Sequence, residues 1–265
     1  MTHQIGDPQF LANTFQIPII HNFRQADIDV GGNGAPLMPF LDWHLFNDSI
    51  HDKIILNIGG IANFTHIPSY TKRDDVIGLD TGPGMALIDE LCILKLNEPC
   101  DWDGKYSSNG EIIIPLLTEL MMHPFVKKEY PKSTGRHEFG KDFVLKIVEK
   151  WSAHQLKDIL RTFVAFTAKS IWENILKLRN FTVKNSTLIV SGGGVHHPII
   201  MEDLKRYTQS KVLSSSEMNI DPDIKEALLM AVLGACRIKN IAANMPSVTG
   251  ANSHVVLGDI YKRKV

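Results

Sequence analysis

Three cysteines in 265 residues, Cys92, Cys100 and Cys236, are an odd number without CxxC spacing. That excludes a disulfide framework and fits a reducing compartment. Charge of one sign is also missing: 28 Lys and Arg against 29 Asp and Glu leave a formal net charge of −1. No basic field gathers nucleic acid or an anionic membrane. No apolar run approaches the roughly 20 residues that span a bilayer, and the opening MTHQIGDPQF does not read as a signal peptide. There is no GxxxxGK[ST], no HExxH and no Cys/His cluster, so neither a P-loop nor a metal centre is expected. The Gly192-Gly193-Gly194 run has His197 where a dinucleotide fingerprint needs its third glycine, which disfavours a nicotinamide-dependent oxidoreductase.

What is present is an ordinary globular balance, 44% apolar and 22% charged, in a chain long enough for one sizeable core or two lobes. Ile17–Ile20 reads as a short strand. Leu37–Phe46 reads as a helix with Leu37, Leu41 and Leu45 on one face. The run Lys53–Ile58, the Gly59-Gly60 turn and Ile61–Ile67 form a hairpin pattern. Val76–Leu79 reads as a strand running into an Asp80-Thr81-Gly82-Pro83-Gly84 loop, with Pro83 suited to the first turn of the following helix. Residues 98–110 are loop-like and Glu111–Met122 helical. The longest amphipathic pattern covers Gln155–Leu178, with Leu156, Ile159, Leu160, Phe163, Val164, Ile171, Ile175 and Leu178 on its apolar face. Thr187–Val190 is a strand ending at Ser191-Gly192-Gly193-Gly194. A last helix near Ile224–Ile238 places Ala227, Leu228, Ala231, Val232 and Ala235 together. Alternating strands and helices indicate α/β, and the hairpin indicates a mixed sheet.

Glycine turns after strands let backbone amides approach a phosphate closely. Three occur, at Gly59-Gly60, at Gly82 in the Asp80–Gly84 segment, and at Gly192–Gly194. Asp80, at the carboxyl end of a strand, lies where open α/β sheets bind ligands. It is either a general base or a helix cap, a role asparagine would fill as well. Lys132, Ser133, Thr134 and Arg136 form either an anion- or sugar-binding loop or a solvated one. Trp43, Trp102, Trp151 and Trp172 suit core or loop anchors better than sugar-stacking platforms, the candidate exception being Trp102, which is set among Asp101, Asp103 and Gly104. His196-His197 suits a loop role better than a metal.

The ordered set Gly31-Gly32-Asn33-Gly34-Ala35-Pro36-Leu37, Asn57–Asn63, Asp80–Gly84, Pro131–Arg136, Ser191–Gly194 and Val248-Thr249-Gly250-Ala251 resembles the anhydro-N-acetylmuramic acid kinase family over almost the whole chain. The resemblance implies an actin-like (ribonuclease H-like) two-lobed fold and an enzyme using ATP and Mg2+. It implies cleavage of the 1,6-anhydro bond of anhydromuramic acid with phosphorylation at O6, in cytoplasmic recycling of cell-wall sugar. Asp80 would be the base that activates water. Gly59, Gly60 and Gly82 would lie near phosphate and Gly192, Gly193 and Gly194 near adenosine. Gly32, Gly34, Ala35, Pro36, Lys132, Ser133, Thr134 and Arg136 would face the sugar.

Two departures qualify the expectation. The family's opening Gly-x-Met-Ser-Gly-Thr-Ser-x-Asp-Gly phosphate loop has no counterpart, so the first lobe is expected to be incomplete, with residues 1–52 its remnant and 53–265 the second lobe. After Arg136 the chain reads His137-Glu138-Phe139-Gly140, where the family has glutamate, one residue and Phe-Asn. The readings that follow are an active sugar kinase, alone or with the missing segment on a separate polypeptide, or a catalytically inactive fragment. The expected partners are the amino sugar and ATP, with a homodimer left open.

Overall fold

The computed structural model describes residues 5–130, 132–178 and 186–262. In chain order it contains α1 (Pro8–Phe15), β1 (Ile19–His21), α2 (Gln25–Asp29), α3 (Met38–Phe46), β2 (Asp52–Ile58), β3 (Ile61–Ile67), β4 (Ile77–Pro83), α4 (Ala86–Leu96), α5 (Ile114–Met121), α6 (Pro124–Lys127) and α7 (Lys141–Lys150). These are followed by α8 (Leu156–Ile175), β5 (Ser186–Ser191), α9 (Pro198–Thr208), β6 (Lys211–Ser214), α10 (Lys225–Ile238), α11 (Pro246–Thr249) and β7 (Asp259–Tyr261). The α/β class and the mixed sheet expected from the sequence are both present. Contacts divide the chain into two compact units: residues 1–49, 67–78 and 224–265 form one, and 50–66 with 79–223 the other.

The larger unit is built on a five-stranded sheet in the order β4-β3-β2-β5-β6. Its central strands are rich in Ile, Leu and Val, with Ile54, Ile55, Leu56, Ile58, Leu188, Ile189 and Val190 buried, as strands covered on both faces require. β2 and β3 are neighbours joined by two residues, a connection only antiparallel strands can make. β2 and β5 run parallel, with Asn57 opposite Ser191, and β5 pairs parallel with β6. The Gly59-Gly60 and Gly192–Gly194 turns therefore leave the sheet at the same edge.

Helix α8 is the main apolar support, burying Ile159, Leu160, Phe163, Val164, Ile171 and Ile175 as its periodicity predicts. Two of its buried polar side chains reach β4 and the turn after it. Thr167 Oγ1 donates to Gly84 O at 2.9 Å, and Asn174 Nδ2 donates to Thr81 O at 3.1 Å.

The smaller unit pairs β1 with β7 antiparallel and packs α3 against α10. Two helical faces differ from expectation. On α3, Leu45 is exposed, and the buried set is Pro39, Phe40, Leu41, Asp42 and Phe46. On α10, Ala227, Ala231 and Ala235 are exposed, while Lys225, Leu229, Leu233 and Cys236 are buried. These alanines do share one face, at i, i+4 and i+8, but each buries little apolar area, so the larger Leu229 and Leu233 decide the rotation of the helix. A buried ion pair fixes it further: Lys225 Nζ lies 2.6 Å from Asp42 Oδ1, both almost solvent-free.

Candidate active site

All of the Asp80–Gly84 segment but its last residue is strand rather than loop. β4 continues through Pro83, and helix α4 starts only at Ala86, so Pro83 is not in its first turn. Gly82 explains why the strand was not legible. Its φ of +137° lies in a region L side chains rarely adopt, so the glycine signals a local distortion of the strand, not its end. Asp80 consequently sits within β4.

The amides at the start of α4 are already engaged. Gly84 N donates to Gly60 O at 2.9 Å, Met85 N to Gly59 O at 2.8 Å and Ala86 N to Gly60 O at 3.0 Å. A helix N-terminus is a ready anion site only while its amides are unsatisfied. Here they join β4 to the β2–β3 turn instead. The approach is close enough that a Cβ on Gly84 would lie 2.2 Å from Gly59 O. The positive group at that turn is Arg136, whose Nε and Nη2 lie 3.3 Å from the place a Cβ on Gly60 would take. Its Nη1 is 3.2 Å from Glu90 Oε1.

The segment carrying Lys132, Ser133, Thr134 and Arg136 folds over Asp80; Pro131, which opens the motif, lies outside the described residues. Ser133 Oγ donates to Asp80 Oδ2 at 2.7 Å and Thr134 N donates to the same oxygen at 2.9 Å. Thr134 Oγ1 in turn donates to Glu138 Oε2 at 2.5 Å. Lys132 points inward: its Nζ donates to the carbonyls of Phe125 at 2.9 Å and Val126 at 3.4 Å and lies over the Phe125 ring. Burial, with the nearby Lys177 adding to it, pushes this ammonium down to about 8.

Each glycine of the Gly192–Gly194 turn has its own reason. Gly192 has φ +79°, and a Cβ there would meet Asn57 Oδ1 at 2.5 Å; a Cβ on Gly194 would meet Ile58 at 2.4 Å. These two are required by packing against the end of β2. A Cβ on Gly193 would find nothing within 4 Å, and the residue lines a cavity of about 480 Å3 with Met85, Asp89, Trp102, Asp103 and His196. The floor of that cavity is fixed by His197. Its Nδ1 accepts from Ile200 N at 3.3 Å, leaving Nε2 to donate to Asp101 Oδ2 at 3.2 Å. Burial opposes the charge on Asp101, but hydrogen bonds from His197 and the Tyr106 and Ser107 amides outweigh it and hold its carboxyl below the usual range.

Asp89 has no such support: its Oδ1 is buried without a hydrogen-bond partner among the described residues. Burial raises its carboxyl to about 6, against a partial opposing effect from Arg136. A carboxyl raised on folding holds its proton longer in the native state, so stability falls as pH rises from about 4 to about 6. Asp89→Asn removes this loss. The variant should gain on the order of 1 kcal/mol at pH 7.5, discounted for partial exposure, and nothing at pH 4. Urea unfolding at the two pH values measures it; an equal difference at both would refute the assignment.

In the smaller unit, Gly32, Gly34, Ala35 and Pro36 are organised by Asp27, a residue the sequence did not single out. Asp27 is fully buried. Its Oδ2 accepts from Gly34 N at 2.8 Å, and its Oδ1 accepts from Asn244 Nδ2 at 2.9 Å and Thr249 Oγ1 at 2.8 Å. A Cβ on Gly32 would fall 2.1 Å from Asp27 Oδ2, so Gly32 is there to let the loop close on this carboxylate. The Gly31–Pro36 and Val248–Ala251 motifs thus share one buried acceptor.

Among the described residues no helix is long and apolar enough to cross a membrane, and no group of three or more His, Cys, Asp or Glu is arranged to hold a metal. A family profile described as "Anhydro-N-acetylmuramic acid kinase" matches residues 1–263. A protein of that name from Francisella tularensis subsp. novicida (strain U112) is 36% identical over 260 residues, covering 97% of this chain and 68% of its own length. One from Clostridioides difficile (strain 630) is 37% identical over 98% of this chain and 68% of its own. One from Bacillus cereus is 35% identical over 98% and 69%. On the order of its motifs and a match along nearly all its length, the chain belongs to the anhydro-N-acetylmuramic acid kinase family.

Proposed function

We propose that the protein transfers the γ-phosphoryl group of ATP to O6 of 1,6-anhydro-N-acetylmuramic acid as water opens the 1,6-anhydro bridge. Asp80 takes a proton from water, whose oxygen bonds to the anomeric carbon. The bond from that carbon to O6 breaks, and O6 attacks the γ-phosphorus as ADP leaves. Mg2+ enters with ATP as part of that substrate, held by phosphate oxygens and water rather than by a protein cage. The observation that carries this reading is the convergence of three motif segments in one unit: Ser133 and Thr134 on Asp80, Arg136 on the Gly59-Gly60 turn, and the start of α4 on the same turn.

The cavity beside Gly193 is acidic, with Asp89, Asp101 and Asp103 in its lining. It therefore suits the uncharged nucleoside end of ATP, with Trp102 and Met85 as apolar walls, and repels phosphate. Arg136 offers the phosphates a cation. A cytoplasmic setting fits such a substrate.

The test is ADP release that requires both ATP and the anhydro sugar. ADP formed equally without sugar, or from sugars lacking the anhydro bridge, would count against the reaction. Gly193 supplies a separate check. Gly193→Val has room to fold but places its side chain in the cavity, so KM for ATP should rise roughly tenfold with little change in kcat. An unchanged KM would remove the nucleoside from this cavity.

A further inference from the structure

We infer that the Lys132–Thr134 segment is a strap that orients the base, and that Ser133 and Thr134 are positioning residues for Asp80 rather than sugar ligands. The inference rests on Asp80 being the base. Both donors converge on one oxygen, Oδ2, and among the described residues neither bond occupies Oδ1. A carboxylate pinned at one oxygen cannot rotate freely, so its other oxygen presents a lone pair in a fixed direction. Such alignment of a base with a bound water is what proximity effects require.

The strap is held at both ends by buried or half-buried groups. Upstream, the buried Lys132 ammonium ties the segment to the last carbonyls of α6, where a cation also complements the helix dipole. Lys177 Nζ donates to the next carbonyls, those of Val126, Lys127 and Lys128, and completes the C-terminus of that helix. Downstream, Thr134 Oγ1 is fastened to Glu138, and Phe139 is fully buried against Phe125 and Phe143. Ser133, between these anchors, is the exposed member and makes its hydrogen bond to Asp80. A sugar-binding serine would leave its hydroxyl for the ligand; this one is committed to the carboxylate.

The experiment is steady-state kinetics on Ser133→Ala and Ser133→Thr beside Asp80→Asn, together with hydrogen exchange at the Thr134 amide. Ser133→Ala should lower kcat roughly tenfold with KM for both substrates within about twofold, the pattern of a lost charge-assisted bond that orients the base. Ser133→Thr, which keeps the hydroxyl, should recover most of the loss. A raised KM for the sugar at unchanged kcat would overturn the inference in favour of direct sugar contact. Full activity in Ser133→Ala beside an inactive Asp80→Asn would overturn the strap and leave the base in place. Full activity in Asp80→Asn would overturn the base, and the strap's purpose with it. Independently of turnover, the Thr134 amide should exchange slowly and become faster in Asp80→Ala. Equal rates would show that the amide is not held by the carboxylate.

Discussion

Asp80→Asn should reduce kcat on the order of 10²- to 10⁴-fold, the range typical for loss of a general base. The substitution is close to isosteric. The amide can keep one oxygen as acceptor for Ser133 Oγ and the Thr134 amide, so β4 and its neighbours keep their arrangement. What it loses is the ability to take a proton from water. KM for ATP should therefore stay near its original value, because the cavity lined by Gly193 and Trp102 is untouched. Asp80→Ala also releases the Ser133 and Thr134 donors and should lose a little stability in addition. If Asp80→Asn kept more than about a tenth of kcat, proton abstraction would have to be assigned elsewhere. The alternative of a helix cap already fails on geometry, since α4 begins six residues after Asp80 and its first amides are taken by Gly59 and Gly60.

The second large effect concerns stability. Asp27→Ala should destabilise the smaller unit by about 3–5 kcal/mol. It leaves Gly34 N, Asn244 Nδ2 and Thr249 Oγ1 without their acceptor at a fully buried position, and each orphaned donor costs about 1–3 kcal/mol before relaxation. Asp27→Asn should cost less, though not zero, because its amide can accept at one end only and meets donors at both. Thermal unfolding measures the loss. Amide exchange at residues 31–35 should accelerate in both variants before global unfolding. A change below about 1 kcal/mol for Asp27→Ala would show that the loop is held by something else.

These residues also show where the sequence could be read and where it could not. The β2–β3 hairpin and α8 were legible because each has a strong period and glycine punctuation that agrees with it. The motif order carried the family, yet it was silent on which side chains face a ligand and which face each other. Lys132 and Ser133 look alike on paper as polar residues in one loop. In the structure one is buried on helix carbonyls and the other is bound to a carboxylate. Asp27 carries no motif signature; its importance comes from contacts with residues more than 200 positions away, Asn244 and Thr249. β4 was cut short because Gly82-Pro83 reads as a breaker, although the sheet tolerates both there. The face of α10 was misjudged because its alanine stripe reads as apolar although the larger Leu229 and Leu233 are the side chains it buries, and because its polar Lys225 is buried by a partner on another helix.

The three hydrogen bonds from Gly84, Met85 and Ala86 to the Gly59-Gly60 carbonyls make the two glycine segments a single mechanical part. A ligand that pulls on the β2–β3 turn must break bonds worth about 0.5–1.5 kcal/mol each or carry helix α4 with it. Asp89 and Glu90 ride on that helix, the first facing the Gly193 cavity and the second holding Arg136. A displacement of the turn would therefore carry the cavity wall at Asp89 with it, with no flexible linker between them, as a push on one end of a lever moves the other.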